Sequence, residues 1–138
     1  MRPAMPDRST HTAIFRVSFW LALAFALVMA LLPHPPHLPI NGLGDKFEHM
    51  LAFSTVAILG ANGYPRVALP LLGERLSFLG ALIEVCQSIP VLHRDCDIRD
   101  WLADTVAIIV ALLLVRLVRD SRRTRARANG GANDGAGR

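Results

Sequence analysis

Two short stretches hold most of the side chains able to do chemistry. One runs from Gly80 to Asp104 (GALIEVCQSIPVLHRDCDIRDWLAD) and sets Glu84, Gln87, Arg94, Asp97, Asp100 and Asp104 among apolar residues. The other is Asp45-Lys46-Phe47-Glu48-His49. Both adjoin segments apolar enough for a lipid bilayer, where a charged side chain costs roughly 2.5–3.5 kcal/mol at mid-membrane on insertion scales. Such groups face protein or water and pair with something. Acids outnumber bases in these stretches, which argues against a simple anion site and for a proton, a metal ion or a cationic group. Glu84 and Asp104 are the hardest to read as packing, because a buried carboxylate pair is costly without a cation or a shared proton.

Every member of the set also has a plainer reading. Asp45 and Asp97 are placed as helix N-caps. Lys46 and Arg99 read as interfacial anchors. Arg94 reads as an ion-pair partner for Asp97, Asp100 or Glu84, and His49 and Gln87 as interhelical hydrogen bonds, each worth below about 1 kcal/mol in membranes. His49, Glu84, His93 and Cys96 lack any recognised metal-ligand spacing. No cofactor motif is present, and no nucleophile–base pairing emerges that would support a catalytic role. Cys86 and Cys96 are too few for a disulfide framework and allow at most one bridge.

The elements that must position these residues follow from hydropathy. The 138-residue chain is 52% hydrophobic, and its mean hydropathy of +0.37 is held down by polar ends. An all-α integral membrane bundle of four transmembrane helices is expected, at about 14–32, 45–62, 71–89 and 98–118. The first contains the run VSFWLALAFALVMALL, long enough with its flanks to reach the ~20 residues that cross ~30 Å. Basic residues before it resemble those of a signal peptide, but only Pro33-His34-Pro35-Pro36 follows, without a small-x-small cleavage site; an uncleaved span is expected. Asp45 and Glu48 stand as the acidic analogue of a capping box for the second span. Gly63-Tyr64-Pro65-Arg66 makes the next turn. Pro70 and Glu74-Arg75 interrupt the start of the third span, and Asp97 and Asp100 occupy the first turn of the fourth, where acids complement the helix dipole. Residues 1–16 form a polar N-terminus, 17–118 the membrane domain, and 119–138 a basic tail expected to be disordered.

Orientation follows from the basic residues. With four spans both termini share one side, which holds every Lys and Arg except Lys46, Arg94 and Arg99. That side is expected to be cytoplasmic. At full ionisation it carries +8 and the other side −4, together the formal +4 of the chain. The same topology gathers the two polar stretches beneath one outer surface. At ~1.5 Å per helical residue, Glu84 lies roughly 9 Å, Asp104 roughly 10 Å and His49 roughly 6 Å below it. The spacings Asp45/His49, Glu84/Gln87 and Asp97/Asp100/Asp104 each keep to one helix face.

Three blocks in order, Asp45-Lys46-x-x-His49-x-x-x-Phe53, Gly80-x-x-x-Glu84-x-x-Gln87, and Arg94 followed by Asp100-x-x-x-Asp104, resemble the signature of VanZ-like membrane proteins. The resemblance covers about Asp45 to Leu114. It implies a small multi-span bacterial membrane protein of the cytoplasmic (inner) membrane, in a family whose founding member is linked to resistance to the glycopeptide teicoplanin, and it implies no particular reaction. Two positions depart from the family pattern: Asp104, often asparagine there, and Ala107, where glycine is usual.

Three functions remain open at this point. The first is a VanZ-like protein whose outward-facing polar pocket, drawn from Asp45, Lys46, His49, Glu84, Gln87, Arg94, Asp97, Asp100 and Asp104, engages an envelope lipid or cell-wall precursor. The second is a small proton- or cation-coupled transporter. The third is a structural membrane protein whose polar residues hold the helices together. Membrane lipids are expected partners, and the arginines after Val118 read as an anchor to anionic lipid rather than a nucleic-acid surface.

Overall fold

The computed structural model describes residues 8–33, 45–90 and 97–135. They form four helices and, among the described residues, no strand: α1 (Arg8–Leu31), α2 (Asp45–Gly63), α3 (Leu69–Gln87) and α4 (Ile98–Gly135). Consecutive helices run in opposite directions, so α2 and α4 are parallel. α2 is central and packs on each of the other three. Small residues make this feasible: Ala57 and Ala61 are almost wholly buried, beside Val56, and lack of bulk there lets neighbouring backbones approach. Phe19 from α1, Leu72 and Leu76 from α3, and Ile108 and Leu112 from α4 complete the core. Ala107 is buried as well.

The helix ends follow local rules. α1 stops before its proline, with Leu32 N–H donating to Val28 O. A turn with Val67 N–H on Tyr64 O joins α2 to α3. Pro70, read from the sequence as an interruption, lies in the first turn of α3, where the missing N–H has no intrahelical partner to lose. α3 therefore begins at Leu69 and ends at Gln87, two residues earlier at each end than expected.

Two other boundaries differ from expectation. α1 starts at Arg8, inside the segment read as a polar N-terminus. α4 continues beyond Val118 to Gly135, where an irregular tail was expected. The segment Ser121–Ala128 is rich in Arg and Ala, which are strong helix formers. Extending an existing helix avoids the cost of nucleation. Arg116 and Asp120 pair at i, i+4, and Thr124 Oγ1 donates to Asp120 O.

α1 and α4 are long and apolar enough to cross a membrane, over Ser9–Leu31 and Ile98–Asn129. Only 11% and 28% of their most apolar windows are buried. The core helix of a water-soluble protein would be mostly covered, so these surfaces need an apolar environment of another kind.

Candidate functional site

The start of α2, the end of α3 and the start of α4 meet at one end of the bundle. Asp97 is the hub. Its Oδ1 accepts the Arg99 N–H at 2.9 Å, the geometry of an N-cap serving the second helical residue. Its own backbone N–H donates to Glu84 Oε2 at 3.1 Å, so a carboxylate on α3 sits against the positive end of α4. Its Oδ2 accepts from Lys46 Nζ at 2.9 Å.

Lys46 reaches a second acid, Asp100 Oδ1, at 2.5 Å. Its side chain is 51% exposed whereas that of Asp100 is 11% exposed; the cation stays wet while it neutralises a carboxylate that is nearly dry. One turn further in, His49 Nδ1 lies 3.4 Å from Asp104 Oδ2, with side-chain exposures of 10% and 3%. Lys46–Asp100 and His49–Asp104 are thus successive rungs between parallel helices, three residues apart on α2 and four on α4. The neighbouring face of α4 turns to α3 instead: Trp101 Nε1 donates to Ser77 O at 3.0 Å, and the Ser77 and Thr105 hydroxyls are 2.8 Å apart.

These partners change the acidity of Asp97. The Arg99 N–H foremost, and then the Lys46 ammonium, hold its carboxyl below the ordinary value of 3.8.

Lys46, His49, Glu84, Asp97, Asp100 and Asp104 thus lie at the same end of the bundle, joined by these contacts. Gln87 belongs elsewhere: its amide nitrogen donates at 2.9 Å to Ala30 O in the last turn of α1, a carbonyl left over at the helix end. The N-cap assigned to Asp97 is present. Lys46, read as an interfacial anchor, pairs with Asp97 and Asp100, while Arg99 contributes its backbone N–H. Arg94, His93 and Cys96, and with Cys96 any bridge to Cys86, lie outside the described residues, as does the side chain of Asp45. Among the described residues no group of three or more His, Cys, Asp or Glu is arranged to hold a metal ion.

Sequence reading missed two arginines that bind helix ends: Arg16 and Arg119 donate to carbonyls in the last turn of α2. The available signal was the universal lack of partners for terminal helix carbonyls. No protein-family model matches the chain, and neither a curated protein nor a solved structure matches it.

Proposed function

We propose that this is a four-span membrane protein of the VanZ-like kind, with an outward-facing polar site that engages a cationic or hydrogen-bonding group of an envelope lipid or cell-wall precursor. The observation that carries this reading is the convergence of Glu84, Asp100 and Asp104, each less than 10% exposed, with Lys46 and His49 at one end of an otherwise apolar bundle. Packing alone is a poor reason to keep three buried carboxylates together, since an apolar set of similar volume is often at least as stable.

The four-span count is supported by α2 and α3 as well as by the two longer helices. Each has 19 residues, about 28 Å at 1.5 Å per residue, close to the ~30 Å hydrocarbon core. Each also exposes large apolar side chains, such as Leu51 and Ile58 on α2 and Phe78 and Val85 on α3. The skew of arginine toward the opposite end supports cytoplasmic termini.

The test is made in cells. Deletion should change sensitivity to an envelope-directed antibiotic, and E84Q/D104N should reproduce that change at unchanged protein level. Wild-type sensitivity in E84Q/D104N, alongside an altered deletion strain, sinks the proposal.

The His49–Asp104 pair favours a second reading, proton-coupled transport, because it places a titratable base beside a buried acid. Proteoliposome flux abolished by Asp104→Asn would promote it; flux equal to empty liposomes would remove it.

A further inference from the structure

The opposite end of the bundle is built around the C-terminus of α2, whose last carbonyls have no donors within the helix. Two arginines from different helices supply them. Arg16 Nε on α1 donates to Gly63 O at 2.8 Å, and Arg119 Nη2 on α4 donates to Ala61 O at 2.5 Å. The approach of α1 is close: a Cβ on Gly63 would stand 3.0 Å from Arg16 N. The Arg16 guanidinium also lies 5.2 Å from the centre of the Tyr64 ring, and the Tyr64 hydroxyl accepts the Trp20 indole N–H at 2.8 Å. Phe19 meets both rings edge-on. Both guanidiniums are thus held in place by their surroundings.

Charge at this end is not balanced. A helix C-terminus carries about half a negative elementary charge, so two guanidiniums leave roughly +1.5 around the last turn of α2. Each guanidinium has five N–H donors, and the carbonyl bonds use one from each. Besides Asp134, fifteen residues beyond Arg119 along α4, the acids toward this end among the described residues are Glu74 and Asp120; Glu74 is next to Arg75 in the chain, and Asp120 lies 3.8 Å from Arg116. The two anchoring carbonyls are two residues apart, a rise of about 3 Å along α2, and both belong to its last turn. Exposed Val17 and Trp20 on α1, and Leu117 and Val118 on α4, flank them with apolar surface. Fixed cations beside an indole, a phenol and lipid-type side chains match the chemistry of the headgroup level.

We infer that Arg16 and Arg119, held on the last turn of α2, bind the phosphate of an anionic phospholipid whose acyl chains lie along the exposed apolar flanks. This rests on the membrane-spanning reading above and concerns the other end of the molecule from the acidic site. Pre-ordering by Ala61 O, Gly63 O and Tyr64 reduces the entropy lost when the headgroup binds.

The test uses the full chain in detergent, offered equimolar phosphatidylglycerol and phosphatidylcholine, with bound lipid counted by native mass spectrometry. Wild type should favour phosphatidylglycerol by roughly fivefold per arginine, and millimolar inorganic phosphate should not displace it. R16A/R119A should lose the preference. R122A/R123A, which removes the same charge from the exposed part of α4, should keep it. Equal binding of the two lipids by wild type, displacement by inorganic phosphate, or equal loss in R122A/R123A overturns the inference. If R16A/R119A does not fold, R16K/R119K decides: it keeps the charge without the forked donors, so a reduced preference supports the site and an unchanged one overturns it. Alkaline carbonate extraction of wild type from membranes tests the spanning reading separately, since that reading fails if the protein is released.

Discussion

The Glu84 carboxylate on α3 accepts the backbone N–H of Asp97 at the head of α4, at 3.1 Å and across thirteen residues of chain. A buried acid is thereby given a fixed donor and the positive end of a helix in place of water. This accounts for a carboxylate that is only 6% exposed, where a lone charge would be costly. It also ties the third helix to the fourth at the site itself, so loss of this acid should have a structural cost apart from any functional one.

Glu84→Gln keeps an acceptor but removes the charge that complements the helix end, and should lower stability by about 1 kcal/mol. Glu84→Ala removes the acceptor too and should cost about 2–3 kcal/mol. Unfolding in detergent measures both. Equal midpoints for the two variants would show that the acceptor contributes nothing.

Acid should weaken the fold through Asp97. Its carboxyl titrates below its ordinary value of 3.8 in the folded chain. Its stabilising contribution is therefore complete above that value and is lost as pH falls toward the lower folded value. The thermal midpoint should drop as pH is lowered from 5 to 3, and more steeply in wild type than in Asp97→Asn. Parallel curves would refute the assignment.

Two glycines should respond oppositely to alanine. At Gly63 the new methyl meets α1 backbone, Arg16 N at 3.0 Å and Arg16 Cα at 3.2 Å, so helices must move apart at a cost of about 1–3 kcal/mol. At Gly80 the nearest atoms belong to the Phe53 and Trp101 rings, at 3.4 and 3.5 Å. Ordinary contact there leaves the helix-propensity gain of alanine, up to about 1 kcal/mol. Destabilisation of Gly80→Ala as large as that of Gly63→Ala would contradict this packing.

Gln87→Leu should destabilise by about 1–3 kcal/mol, because Ala30 O loses its side-chain donor in a buried setting. The effect should be local to the α1–α3 contact. Hydrogen exchange near the end of α1 should rise while the start of α4 stays protected; equal loss of protection at both places would assign Gln87 to the acidic site after all.

Much of the site was legible because it depends on direction rather than detail. Helices that alternate in direction must bring His49, Glu84 and Asp104 to one end, and the contacts His49–Asp104 and Glu84–Asp97 lie there. What could not be read was that Lys46 would span Asp97 and Asp100, because side-chain reach decides it and reach depends on how α2 and α4 are rotated. Gln87 was assigned by its spacing from Glu84, but three residues on a helix leave a net offset of about 60°, and at a junction of three helices that puts one side chain on the head of α4 and the other on α1. The α4 extension was hidden by its composition, since arginine-rich sequence reads equally as solvated coil or as exposed helix.

α4 has 38 residues, about 57 Å of helix, against a hydrocarbon layer of ~30 Å. If Ile98–Val118 spans that layer, as proposed, some 25 Å of rod extends beyond it. A dye attached near Asn129 would sit well outside the lipid, and its distance from labelled headgroups would report the tilt of the whole bundle as a lever magnifies a small angle.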